Sequence, residues 1–216
     1  IYVAADSVEV WTMPELFQLD KERNPLFVAG VPADQFSATG QLWGNPLYDW
    51  EALKKDNYSW WVNRIKRMLE LVDCIRIDHF RGFEAYWSIP YGEKTAVNGK
   101  WIPGPNIDLF KAIKKALGDI PVIAEDLGVI TDGVKKLRDD CEFPGMKVLQ
   151  FAFDPNEAGK EGMVNAFLPH MYPQASVVYT GTHDNDTMQG WLDQADDAAV
   201  QIAAEYAFGK KLTKAE

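Results

Sequence analysis

Val72-Asp73-Cys74-Ile75-Arg76-Ile77-Asp78-His79 is a largely apolar, β-branched run that ends on charged residues. It reads as a short buried strand whose C-terminal end presents an acid. Side chains two apart on a strand share a face, so Ile75 and Ile77 turn into a core while Arg76 and Asp78 turn together to the other side. A guanidinium beside a carboxyl favours the charged acid, which is what a nucleophilic carboxylate needs.

Four further runs read the same way: Ile1 to Ala4, Ile120 to Ala124, Lys147 to Phe153 and Ser176 to Tyr179. Helical patterns lie between them. One covers Trp50 to Leu71 behind the cap Asp49, one covers Ile107 to Leu117 and closes on Gly118, and one covers Val134 to Arg138 behind Thr131. Alternating strands and helices imply parallel strands joined by crossover helices. The expected fold class is α/β, a partial (β/α)8 TIM barrel of about five βα units, with residues 1–216 as its central catalytic part. Two long connections, at about 6–49 and 79–106, are expected as loop insertions that shape a cleft at the active face.

The acids fall where such folds place their sites, at the C-terminal ends of strands. Glu125 follows Pro121-Val122-Ile123-Ala124, so its carboxyl is expected at the lip of an apolar barrel, where desolvation raises the pKa as a general acid requires. Asp126 is expected to point the other way and cap residues 128–130 or bond backbone amides. His183 and Asp184 follow Val177-Val178-Tyr179-Thr180-Gly181, at a third strand end, where together they suit adjacent hydroxyls of one sugar ring. Each signal has a plain structural reading: an ion pair, a capping acid, a polar turn. Three of them in order at three strand ends instead suggest retaining glycosidic chemistry, with one carboxylate as nucleophile, one carboxyl as acid and a third acid on the sugar. In the stretch from Phe36 to Pro46, Trp43 offers an aromatic face for a sugar ring and Asn45 a hydroxyl partner. Trp60 and Trp61, at helical spacing with Ile65, Met68 and Leu69, read as core.

Composition agrees with a neutral ligand. The 216 residues are 47% hydrophobic, with 32 acidic against 22 basic residues and a formal charge of -10. That balance disfavours nucleic acid and anionic lipid as partners. No apolar run is long enough to span a membrane, and a cytoplasmic setting is expected. Cys74 and Cys141 are isolated, which fits reduced thiols, and His79, His170 and His183 show no ligand spacing, so no metal is expected. A nucleotide-binding α/β reading lacks a Gly-rich loop directly after any strand, and no cofactor is expected.

Taken together, the stretches Ile1 to Ser7, Phe36 to Tyr48, Arg76 to Gly82, Ala124 to Gly128 and Gly181 to Thr187 resemble 4-α-glucanotransferases of the amylomaltase or disproportionating-enzyme family, a branch of the α-amylase clan. The resemblance implies Asp78 as nucleophile, Glu125 as acid/base and Asp184 as transition-state stabiliser. It also implies Arg76 and His183 as contacts of the reacting sugar, Trp43 near the acceptor side, and Asp6, His79 and Phe151 lining the cleft. Asp6-Ser7 stands where amylases carry an Asn-His pair. The implied partners are α-1,4-glucans, maltooligosaccharides and glucose, and the implied chain is an internal fragment, with barrel strands before Ile1 and after Glu216. Two rivals remain open at this level: a hydrolase of the same clan and a glucan-binding module without catalysis.

Overall fold

The computed structural model describes residues 1–34, 37–128, 130–155 and 165–210. Phe36, at the head of the expected aromatic loop, and Val129, within the stretch assigned to capping by Asp126, lie outside the described residues. The fold is mixed α/β and divides into two compact units, Ile1–Phe143 and Pro144–Glu216.

In the first unit the elements run α1 (Val8–Thr12), β1 (Phe27–Val31), β2 (Gln41–Pro46), α2 (Trp50–Lys55), α3 (Ser59–Leu69), β3 (Ile75–Ile77), β4 (Ala85–Pro90), β5 (Lys100–Pro103), α4 (Ile107–Leu117), β6 (Val122–Ala124) and α5 (Asp132–Asp140). β3 and β6 pair in parallel, with Ile75 opposite Val122 and Ile77 opposite Ala124. The helices cap as the sequence suggested, Asp49 accepting from Ala52 N–H and Thr131 Oγ1 from Val134 N–H, while Gly118 closes α4.

Three expectations are corrected in this unit. The segments 6–49 and 79–106 are not loops: they carry β1, β2, β4 and β5, which form one antiparallel sheet in the order β2-β1-β4-β5. The reason is long-range pairing, since Gly30 lies opposite Trp87 and Trp87 opposite Trp101. Gly30 is needed where β1 and β2 meet, because a Cβ there would stand 2.1 Å from Gln41 O. Ile1–Ala4 has no place in a described sheet; side chains bind its backbone instead, with Tyr48 O–H donating to Ile1 O (2.8 Å) and Asn45 Nδ2 to Val3 O (2.9 Å). The helical stretch 50–71 breaks into α2 and α3 because Asn57 and Tyr58 adopt left-handed backbone, φ +58° and +57°. Asp126, expected to cap a stretch that includes Val129 outside the described residues, pairs with Arg138 (2.6 Å).

The core of this unit is aromatic. Tyr48, Trp61, Phe80, Phe83 and Phe110 are buried, their ring centroids 5.2–6.0 Å apart along successive neighbours. Trp61 is core, as its spacing suggested, and the partly buried Trp60 packs edge-on against it.

The second unit contains β7 (Gly145–Val148), β8 (Ser176–Tyr179), α6 (Met188–Gln194) and α7 (Asp197–Phe208). β7 and β8 pair in parallel, Gly145 opposite Ser176 and Val148 opposite Tyr179. The strand expected over Lys147 to Phe153 stops at Val148 and continues as a 3-10 helix, Leu149–Phe153. Buried Gln150 explains the change, its Nε2 turning to donate to Asp186 O (2.8 Å) instead of continuing an alternating face. No helix among the described residues is long and apolar enough to cross a membrane.

Candidate active site

Register builds the centre of the site. The β3–β6 ladder runs past both strand ends: Glu125 N–H donates to Ile77 O (2.9 Å) and Phe80 N–H to Glu125 O (3.1 Å). Ile77 and Ala124 are partners and both buried, so the next residues, Asp78 and Glu125, emerge side by side on the opposite face. Neighbouring strand backbones lie about 4.8 Å apart, so the two side chains leave from adjacent positions. Their surroundings differ. Asp78 is 61% exposed and holds Arg76 Nη1 at 2.8 Å.

Glu125 is largely buried, and burial raises its pKa above the ordinary carboxyl range, with the negative charge of Asp78 adding to the rise. Two backbone N–H groups oppose this: His79 N–H donates to Oε2 and Leu127 N–H to Oε1, both at 2.7 Å. Desolvation outweighs them, and these bonds fix the carboxyl's orientation. One acid beside a cation and one acid short of water make a pair of unlike groups, the arrangement that separates nucleophile from proton donor.

Asp126 turns into the protein beneath this loop. Its carboxyl accepts from Arg138 Nη1 on α5 at 2.6 Å, the two side chains being only 4% and 16% exposed. Arg138 also holds Asp139 at 2.7 Å. Removing one member of such a pair leaves the other desolvated. Asp126→Ala is therefore expected to lower stability by about 3 kcal/mol, read as a drop in urea midpoint with unchanged slope.

Trp43 lies on β2, 37% exposed, with Nε1 donating to Gln41 Oε1 (3.0 Å) and its ring edge-on to His79 at 4.8 Å between centroids. His79 adopts left-handed backbone, φ +50°. Burial and the nearby Arg81 push its pKa down to about 4, so the ring is neutral at pH 7. Trp43, His79, Arg81, Trp101, Leu127 and Gly128 line a cavity of about 160 Å³. Arg81 is buried and stacks on Trp101 at 3.9 Å. A larger cavity, about 440 Å³, lies at the other end of β6 beside Phe110, Ile120 and Cys141; no candidate residue lines it, so size does not mark the site. Asn45 directs its amide at Val3 O, and Asp6 is exposed in the turn before α1.

In the second unit, Asn185 Oδ1 accepts from Thr182 N–H (2.9 Å) and Asp186 Oδ1 from Thr187 N–H (2.7 Å). Those bonds form the turn that presents His183 and Asp184, whose side chains are 73% and 77% exposed and stand 3.4 Å apart. Phe151 packs edge-on against Phe167 at 5.3 Å.

Arg81, Trp101, Leu127 and Arg138 were not singled out from the sequence. Leu127 acts through its backbone, which leaves no sequence signal. The Asp126–Arg138 pair had one: an acid after the strand and an Arg on the buried flank of the following helix. Among the described residues no group of three or more His, Cys, Asp or Glu could hold a metal ion.

A family model described as 4-alpha-glucanotransferase matches residues 1–215. The 4-alpha-glucanotransferase of Clostridium butyricum is 56% identical over 194 residues, which is 89% of this chain and 39% of the relative. That of Thermus thermophilus is 55% identical over 208 residues, 95% of this chain and 40% of the relative. Among solved structures, amylomaltase from Streptococcus agalactiae in complex with acarbose superposes with a TM-score of 0.88 at 46% identity, over 95% of this chain and 41% of that one. The amylomaltase of Corynebacterium glutamicum, 21% identical with a TM-score of 0.74, shares the fold. The chain spans about two fifths of the length of the first three of these relatives and 30% of the fourth.

Proposed function

The chain belongs to the 4-alpha-glucanotransferase family, and on that premise we propose that it is the central part of a (β/α)8 barrel that moves α-1,4-glucan segments between chains. The observation that carries this reading is the adjacency of Asp78 and Glu125 at neighbouring parallel strand ends in unlike surroundings.

Asp78 attacks the anomeric carbon while Glu125 gives its proton to the departing glycosidic oxygen. The donor bond breaks, and a covalent glycosyl-enzyme forms with inversion. Glu125, now a carboxylate, takes the proton of an incoming 4-hydroxyl, and a second inversion restores the α linkage. Arg76 orients Asp78, and Asp184 and His183 bind hydroxyls of the donor sugar more strongly as its ring flattens. Trp43 supplies an apolar face to the acceptor, while Asn45, Asp6, His79 and Phe151 are assigned to the walls of the cleft. The chemistry requires carboxyl and hydroxyl groups alone, so we assign no cofactor. Maltooligosaccharides and glucose are the proposed partners, as intermediates of starch or glycogen use, and the cytoplasm the proposed compartment.

Transfer wins over hydrolysis when the acceptor is better placed than water. Maltotriose incubated with the full-length parent is expected to give free glucose together with maltopentaose and longer chains, resolved by chromatography. Glucose and maltose without longer products would identify a hydrolase of the same clan. No turnover at all would leave a glucan-binding module.

A further inference from the structure

His79 stands between the aromatic face and the acid, and each end of the link is a direct contact. Its ring meets Trp43 edge-on at 4.8 Å, while its backbone N–H reaches Glu125 Oε2 at 2.7 Å. Gly82 makes room for the imidazole: a Cβ there would lie 3.0 Å from His79 Cδ2. The left-handed backbone at His79 aims the amide at Glu125, a conformation that costs most side chains energy and persists only where surrounding contacts impose it. Leu127, whose N–H holds the other carboxyl oxygen, lines the same cavity as Trp43 and His79. Both amides that orient the acid therefore belong to residues on the wall of one cavity.

We propose that His79 is a positioning residue that joins the acceptor-side ring Trp43 to the acid Glu125, so that seating a sugar against Trp43 and aligning the proton donor are one event. This rests on the transferase reading above. Its consequence is a preference for sugar over water in the second half of the reaction, because an empty acceptor side leaves the link loose.

The test uses the full-length parent enzyme. A maltosyl fluoride donor lacking its non-reducing 4-hydroxyl cannot serve as acceptor, so added glucose alone fills that role. Asn tolerates left-handed backbone and Val resists it, so His79→Asn removes the ring while keeping the amide in place, and His79→Val disturbs both. His79→Asn and Trp43→Leu are each expected to raise the KM for glucose about tenfold, with the double variant no more than about twofold worse than either, since contacting residues fail to add. Singles that multiply in the double variant would overturn the link, as would an unchanged KM for glucose.

The pH profile of kcat/KM for maltotriose separates positioning from general loosening. His79→Asn should leave the alkaline limb where it is. His79→Val should move it to higher pH, because a weakened N–H bond to the carboxylate favours the protonated acid. Equal movement in both, or none in His79→Val, counts against the role; should His79→Val fail to fold, the Asn and Leu cycle decides alone. A wild-type parent that turns over no maltotriose defeats the transferase reading and this assignment with it. A wild type that transfers normally, with additive variants, defeats only the assignment.

Discussion

The Asp78→Asn variant of the full-length parent is expected to lose at least about four orders of magnitude in kcat for glucan transfer, the scale seen when a covalent nucleophile is removed. Asn has the same shape but no charge and cannot form the glycosyl ester. The substitution should leave the fold nearly unharmed. Asp78 is 61% exposed and its pair with Arg76 is open to solvent, so the lost ion pair contributes about 1 kcal/mol or less. Two measurements check this: the rate of maltotriose disproportionation, and the mass of the protein after reaction with a slow fluorinated donor, which should gain a glycosyl unit only in the wild type. A variant within tenfold of wild-type kcat would remove Asp78 from the mechanism.

For Glu125→Gln the expected loss in kcat is about 10²- to 10⁴-fold with maltotriose, and much less for the first step with a glycosyl fluoride donor, whose leaving group needs no proton. Its signature is in the pH profile. Burial raises the pKa of Glu125, and the group donates its proton only below that value, so wild-type kcat/KM should fall as pH rises through it. The same sign applies to stability. The folded protein holds this proton more tightly than the unfolded chain, so Glu125's contribution declines as pH rises from the ordinary carboxyl value to the raised one. In Glu125→Gln both dependences should disappear. Gln has one acceptor oxygen where Glu125 accepts from two amides, so a net cost of about 1 kcal/mol accompanies the change. An alkaline limb that survives in Glu125→Gln would assign the proton donor elsewhere.

The two predictions depend on features of different legibility. That Asp78 shares a face with Arg76 follows from the two-residue period of a strand, and Ile75-Arg76-Ile77 is a strand with its apolar residues buried. That Glu125 is short of water follows from the apolar run before it. The clamp on its carboxyl was not readable, because the donors are backbone amides of His79 and Leu127, groups every residue carries. Nor was the helix break at Asn57 and Tyr58, where the apolar period runs on through a local change of backbone.

The antiparallel sheet is the largest part that escaped the sequence. Gly30, Pro32, Gly40, Gly44 and Pro46 punctuate a segment whose strands are short, and they read as a loop when taken alone. Phe27–Val31 becomes a strand because Ala85–Pro90, more than fifty residues later, supplies the other half of its hydrogen bonds. That sheet carries Trp43 on β2 and places it against His79, so the aromatic side of the site is a product of non-local pairing.

By itself, then, the sequence determined which carboxyls stand at strand ends and which way they face, since both follow from the order of neighbouring residues and the alternation of a strand. Only the tertiary structure decided that β3 lies beside β6 in a register that makes Asp78 and Glu125 neighbours, and that the backbone amide of His79 reaches across to the acid's carboxyl. The strand register and the His79 amide join residues more than forty positions apart, and their free energy comes from burial and hydrogen bonding that exist only once the chain has closed on itself.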